Sequence, residues 1–204
     1  MRVAAVAVVL VAAAAMADVD AKFAKLRDDA DPIPSLGSFV GKYVGDCPAA
    51  IVGGKECASN ADQFRKSVTG KKYYMIVTED SAAMLSMSEM NVREGTFTLN
   101  LTPFFAADNF ALSHGAPSHT DAQGNPVMSF IRVPSKLPDA WNPGMMDRQV
   151  TAKALRVQIV FTPLGIWSLP KKGGGTIKGV KARFDGVLVQ VGRTGETVGV
   201  WTSK

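Results

Sequence analysis

The stretches 154-ALRVQIVF-161 and 177-IKGVKARFDGVLVQV-191 decide the fold. In the first stretch, apolar and polar side chains alternate, which is the period of a strand with one buried face. The second keeps that period, and Asp185-Gly186 in its middle predicts a bend. Turn sequences separate these stretches from their neighbours, so the C-terminal part predicts strands joined by tight turns. The predicted strands lie at 154–161, 165–169, 177–191 and 197–201.

The same alternation continues towards the N-terminus. In 95-GTFTLNLT-102, apolar side chains occupy every second position, with threonine and asparagine between them, which indicates a half-buried strand. Because most strands follow one another without a helix between them, we expect a mainly β fold, an antiparallel β-sandwich or barrel of about seven or eight strands. The remaining strands are predicted at 71–79, 83–90 and 127–133.

A helical period replaces the strand period in the N-terminal part. Apolar residues recur on one helical face of 19–30, and 31-DPIP-34 ends this segment because proline cannot continue a helix. Ser35 is suited to cap a second short helix, where apolar side chains recur at steps of three and four. The pattern of 61–68 does not decide between helix and strand. We therefore expect a short helical element before the sheet.

The chain begins 1-MRVAAVAVVLVAAAAMA-17, in which Arg2 precedes an apolar run and small residues flank Met16. This pattern is typical of a secretory signal peptide, and we expect cleavage after Ala17. The apolar run is shorter than the roughly 20 residues that a transmembrane helix needs. Residues 18–204 would then form a single β-rich domain of 187 residues without a transmembrane segment, in the periplasm or secreted.

Two cysteines, Cys47 and Cys57, are separated by nine residues. This spacing differs from the two-residue spacing of redox and zinc motifs. Cysteines in an exported protein meet an oxidising compartment, where an even pair usually forms a bridge. We therefore expect a disulfide between Cys47 and Cys57.

The two histidines of the chain lie in 113-SHGAPSHTDAQGN-125, at His114 and His119, and Asp121 follows. These three side chains are of the types that hold a zinc ion, so a metal-dependent hydrolase is one alternative. The turn-forming residues of the stretch favour a structural loop instead. The chain has no G-x-S-x-G motif, and we expect no catalytic residue and no cofactor.

Positive charge is concentrated at the C-terminal end. The whole chain has a net charge of +5, and residues 148–204 carry ten basic and two acidic side chains. Lys181 and Arg183 are two residues apart and therefore share one face of a strand. A basic face attracts anionic partners, whereas the few aromatic residues among the cations do not favour nucleic acid. The predicted binding residues are Lys171, Lys172, Lys178, Lys181 and Arg183.

Together, export and basic charge favour a non-enzymatic binding protein of the cell envelope with an anionic envelope component or a lipid as its partner. A periplasmic carrier of a lipid or another apolar ligand is a further alternative. Such a carrier would hold its ligand in a barrel cavity, with Trp167 and Trp201 near the mouth. The pattern fixes neither the ligand nor an oligomeric state.

Three stretches, 43-YVGDC-47, 113–133 and 156–201, resemble an uncharacterised family of predicted exported bacterial proteins, a domain of unknown function. The resemblance covers residues 36–202. It implies export from a bacterial cell. It assigns no activity, no cofactor and no catalytic residue.

Overall fold

One large sheet dominates the structure, a computed structural model that describes residues 20–33, 35–45, 60–77, 85–88, 90–107, 110–122, 126–139, 141–142, 144–146, 148, 154–170 and 174–203. In this part of the chain the sheet contains ten strands. They are β1 (Asp31–Pro32), β2 (Tyr73–Val77), β3 (Leu85–Met87), β4 (Thr96–Leu101), β5 (Phe104–Ala107), β6 (Phe110–His114), β7 (Ile131–Lys136), β8 (Leu155–Pro170), β9 (Thr176–Val191) and β10 (Thr197–Thr202).

The strand order is β1-β2-β8-β9-β10-β7-β4-β3, and β6 joins the sheet through β9 and carries β5 on its other edge. Two pairs, β1–β2 and β6–β9, are parallel, and the other pairs are antiparallel. The sheet is open and does not close into a barrel. Strands that are distant in sequence, such as β2 and β8, are therefore direct neighbours.

The two longest strands, β8 and β9, form a hairpin at the centre of the sheet, and each has 16 residues. They pair along their whole length, but the register shifts twice. At one shift Leu164 of β8 lacks a partner, and at the other Asp185 of β9 lacks one. Such β-bulges bend a strand and redirect its side chains.

The second edge of β9 changes its neighbour half-way along. Residues 178–182 pair in parallel with β6, whereas residues 186–190 pair antiparallel with β10. Neither neighbour provides a strand partner for residues 183–185. Groups from other positions must therefore satisfy the backbone there, because an unpaired buried N–H costs free energy.

One face of the sheet, called here the inner face, packs into the main hydrophobic core. Two helices cover it, α2 (Leu36–Val44) and α3 (Ala61–Val68). Phe39 of α2 lies edge-on to Phe64 of α3 and to Phe161 of β8, with ring centroids 5.7 Å apart in both pairs. The start of α2 is as predicted, since Ser35 Oγ accepts a hydrogen bond from the backbone N–H of Ser38 at 3.3 Å.

The opposite, outer face is covered in part by helix α1, residues 20–28. Phe23 of α1 is 1% exposed and packs in a second apolar cluster with Val160, Leu188 and Val200. Gly186 gives the ring its space, because a Cβ there would lie 2.9 Å from a carbon of Phe23. The hairpin is thus covered on both faces at this end.

The predicted mainly β class and the two N-terminal helices are confirmed. Of the two predicted architectures, the closed barrel is excluded because the sheet is open. The prediction of separate strands at 154–161 and 165–169 is wrong, since both belong to β8 and a bulge at Leu164 keeps the ladder continuous. The strand predicted at 127–133 begins only at Ile131. Residues 61–68, which the pattern left undecided, are helical.

A substitution at Gly179 of β9 tests the close packing of the hairpin. A Cβ at this position would overlap the ring of Trp167 and lie 2.8 Å from the carbonyl oxygen of Ala111. We expect Gly179→Ala to lower the free energy of unfolding by about 1–3 kcal/mol, because the ring or the strand must move. Urea unfolding monitored by tryptophan fluorescence measures the change.

Gly165→Ala is the matched control for this substitution. Gly165 lies in the same hairpin, and a Cβ there meets no atom within 4 Å. We expect a much smaller effect on the free energy of unfolding. Equal destabilisation by both substitutions would contradict the described contact between Trp167 and Gly179.

Candidate anion-binding face

Two cations stand next to each other on the outer face of the β8–β9 hairpin. Lys181 and Arg183 are exposed, and Thr162 of β8 is the strand partner of Arg183. We call Thr162, Lys181, Arg183 and Asp185 the basic face. The alternate residues of β9 point into the core, as the strand period predicted: Val180, Ala182 and Phe184.

Arg183 is held at one of its nitrogens. Its Nε donates to Oδ1 of Asp185 at 2.7 Å, and this ion pair joins a side chain that is 54% exposed to one that is 6% exposed. A guanidinium has five N–H donors arranged in a planar fork. Within the described part of the chain, Nη1 and Nη2 of Arg183 have no hydrogen-bond partner. These nitrogens are the donors that remain for an external acceptor.

Asp185 is itself fixed from a second side. Thr162 Oγ1 donates to Oδ2 of Asp185 at 2.6 Å, and the backbone N–H of Ser203 donates to its carbonyl oxygen at 2.9 Å. Both carboxylate oxygens therefore accept a hydrogen bond, which a buried carboxylate requires. The bulge explains this position, because Asp185 has no partner on β8 and turns towards Arg183 on the outer face.

Trp167 packs beside the basic face. Its ring crosses Gly179, and its Nε1 donates to Ser113 Oγ at 2.8 Å. The Ser113 hydroxyl in turn donates to the carbonyl oxygen of Gly115 at 2.6 Å. Phe104 lies against the indole, with ring centroids 6.0 Å apart. These buried contacts thus join the β8–β9 hairpin, which carries Lys181, to β6.

One exposed apolar side chain lies next to the strand partner of Lys181. Leu164, the bulge residue of β8, is 54% exposed and directly precedes Gly165, which pairs with Lys181. Ile166 is 43% exposed but pairs with Val180, so the strand period puts it on the opposite side of the hairpin from Lys181. An exposed leucine next to cations makes this surface amphiphilic.

His114 is the last residue of β6, and this differs from the sequence interpretation, which placed it in a loop. Its Nδ1 accepts a hydrogen bond from the backbone N–H of Phe184 at 2.9 Å. The imidazole thereby supplies the acceptor that β9 lacks where its neighbour changes. Because Nδ1 must be unprotonated to accept, the ring is neutral with its proton on Nε2.

The surroundings of His114 favour this neutral form. Burial lowers the pKa of the imidazole below its usual value, and the negative charge of Asp185 opposes this effect. The ring also contacts Phe184 and Trp201, with centroids 5.4 and 6.4 Å away. Aromatic neighbours give little solvation to an imidazolium ion, so the ring is suited to act as a neutral acceptor.

The other proposed metal ligands lie apart from this arrangement. His119 and Asp121 are exposed in the segment after β6, and Nδ1 of His119 lies 2.8 Å from Ser118 Oγ. Among the described residues, no group of three or more histidine, cysteine, aspartate or glutamate side chains is placed to hold a metal ion.

The remaining predicted binding residues divide into two groups. Lys178 is half-buried, and the strand period puts it on the side of Val180 rather than with Lys181, so the predicted patch of five cations is not a single surface. The other predicted positions lie outside the described residues: Lys171 and Lys172, and the cysteines Cys47 and Cys57.

Sequence reasoning missed the partners that hold Arg183. Thr162 and Asp185 are 23 residues apart in sequence, and only strand pairing brings them together. One signal was present, because an aspartate inside an otherwise apolar strand and directly before a glycine is unusual unless a bulge gives it a partner.

The fold is a β-rich protein with one open sheet, a packed inner face and an N-terminal helix on its outer face. Its candidate site is the pair of exposed cations on the central hairpin. The chain belongs to a family of unknown function, DUF6066, whose model matches residues 1–204. Neither curated proteins nor solved structures gave a match. In the part of the chain that the structure describes, no helix is long and apolar enough to cross a membrane.

The pKa of His114 generates a prediction about stability. Because this pKa is lower in the folded chain than the unfolded value of about 6.5, the unfolded chain binds more protons at acidic pH. The stabilisation is therefore complete above about pH 6.5 and is lost as the pH falls below that value. His114→Asn keeps an acceptor at the δ position but does not titrate, so its free energy of unfolding should fall less on acidification.

Urea unfolding at several pH values between about 8 and 5 tests this difference. His119→Asn is the control for the same substitution at an exposed histidine. Burial also raises the pKa of Asp20, but this carboxyl is present in all three proteins and cancels in the comparison. Parallel pH curves for His114→Asn and the unmodified chain would contradict the role of the neutral imidazole.

Proposed function

We propose that this chain is an exported, non-enzymatic protein of the cell envelope that binds anionic partners through the basic face. One observation carries the proposal: Lys181 and the terminal nitrogens of Arg183 are exposed together and have no partner among the described residues. Two cations face one buried carboxylate, Asp185, so the face keeps a positive charge. Such a face raises the local concentration of anions and speeds their association.

The sequence supports the same proposal in two further ways. Residues 1–17 have the pattern of a signal peptide, which would deliver the chain to a compartment bounded by anionic lipids and polymers. In the sequence, Lys171 and Lys172 directly follow β8 and would add two positive charges to the C-terminal part of the chain. The carrier alternative has less support, because the open sheet lacks the closed barrel on which it depends.

Reversing the charge of the basic face tests the proposal. In Lys181→Glu/Arg183→Glu, we expect binding to anionic phospholipid vesicles to fall about tenfold or more, because attraction becomes repulsion. Sedimentation with vesicles at low salt measures the bound fraction. Binding of the unmodified chain should also weaken as salt is added, since exposed charges are screened.

Lys25→Glu/Lys66→Glu is the matched control. Both lysines are exposed and lie on α1 and α3, so the variant has the same change in net charge at other places. We expect it to retain most of its vesicle binding. If both double variants lost binding equally, net charge rather than the basic face would account for the association.

Export and the disulfide form a second testable part of the proposal. Expressed in a Gram-negative host, the chain should appear outside the cytoplasm and begin at Asp18. Its intact mass should be smaller by two hydrogen atoms before reduction, and Cys47→Ser should abolish that difference. Mass spectrometry of the secreted fraction gives both results, and an uncleaved cytoplasmic chain would contradict export.

A further inference from the structure

We infer that the basic face binds phosphomonoester groups displayed on an anionic lipid surface, with the Arg183 guanidinium as the recognising fork. The inference rests on the proposed function and names the chemistry of the partner. Three features carry it: the way in which Arg183 is held, its spacing from Lys181 along β9, and the exposed Leu164 beside the strand partner of Lys181.

The first feature is the fixed position of Arg183. A flexible arginine loses rotamer freedom when it binds a ligand, and holding it beforehand reduces that loss. Here two hydrogen bonds in series fix the inner edge of the guanidinium. Thr162 Oγ1 donates to Asp185 Oδ2 at 2.6 Å, and Arg183 Nε donates to Asp185 Oδ1 at 2.7 Å. The two Nη atoms remain for a ligand and can donate in parallel to two oxygens of one phosphate.

The second feature is the spacing of the charges. Residues two apart on one face of a strand are separated by about 6.6 Å, a distance that long lysine and arginine side chains can close around one anion. A phosphomonoester has three terminal oxygens and close to two negative charges near neutral pH, and it can accept from Arg183 and Lys181 together. A phosphodiester has two terminal oxygens and one charge. The face therefore favours the monoester.

The third feature points to a lipid rather than to a soluble phosphate. Leu164 is exposed beside Gly165, the strand partner of Lys181. An apolar side chain next to a phosphate site does not contribute to binding a small hydrophilic anion. It can, however, enter a lipid membrane at the boundary between head groups and acyl chains. The bulge at Leu164 is what exposes this side chain in the middle of a paired strand.

Vesicles of phosphatidylcholine that contain either phosphatidic acid, a phosphomonoester, or phosphatidylglycerol, a phosphodiester, test the inference at matched surface potential. We expect the unmodified chain to bind phosphatidic acid about tenfold more tightly, because only the monoester offers Lys181 a third terminal oxygen and a second charge when Arg183 holds two oxygens. Arg183→Lys keeps the charge but loses the fork, so we expect it to lose this preference and to bind the two vesicle types with similar affinity.

Arg27→Lys is the matched control, since Arg27 is an arginine with an aspartate neighbour, Asp28, and belongs to α1 rather than to the basic face. It should keep the preference for phosphatidic acid. Thr162→Val removes the hydroxyl that orients Asp185 and should reduce the preference without changing net charge. Circular dichroism and thermal unfolding show that each variant is folded.

The outcomes separate the inference from the proposed function. Equal binding to both vesicle types, or a preference that survives in Arg183→Lys, overturns the inference and leaves general anion binding in place. Absence of binding to either vesicle type overturns both. Calorimetric binding of glycerol phosphate as strong as binding of the vesicles would show that a soluble phosphate, and not a lipid, is the ligand.

Discussion

The structure depends on how β9 satisfies its backbone where one neighbouring strand ends and another begins. A central strand has no access to bulk water, so each N–H and C=O needs a partner within the protein. Over residues 183–185, between β6 and β10, those partners come from outside the ladder: the imidazole of His114 and the backbone N–H of Ser203. These two contacts allow β9 to pair with β6 along one half of its edge and with β10 along the other.

The same short segment also shapes the candidate site. The bulge that separates Phe184 from Gly186 leaves Asp185 without a strand partner on β8, and its side chain then reaches Arg183 and Thr162. Inner and outer faces are thus organised by adjacent residues: Phe184 is tied to His114 on one side, and Asp185 holds Arg183 on the other. A change in one of these arrangements will alter the other, because Phe184 and Asp185 are adjacent in the chain.

Much of this could be predicted from local pattern, and the part that could not depends on long-range pairing. The alternation in 177–191, the bend at Asp185-Gly186 and the cap at Ser35 follow from neighbours in sequence, and the structure contains all three. Strand order does not follow from them. The contacts of Asp185 with Thr162 and of Phe184 with His114 exist only once β8 and β6 are placed beside β9.

Two predictions from the sequence were wrong for a similar physical reason. Pro163 and Gly165 break the strand pattern locally, yet β8 remains one strand because β9 holds it over its full length. His114 looks like a loop residue because Gly115 and Pro117 follow it, but pairing with β9 extends β6 up to that histidine. In both places tertiary hydrogen bonding outweighs the local preference of glycine and proline.

The position of α1 has a consequence for the order in which the molecule can form. Phe23 is buried against Val160, Leu188 and Val200, which all lie in the last quarter of the chain. In a nascent polypeptide, α1 therefore cannot complete this apolar cluster until β8, β9 and β10 have been synthesised. Late closure keeps the amino-terminal segment accessible throughout synthesis, a property compatible with threading through a translocation pore before the native state is reached.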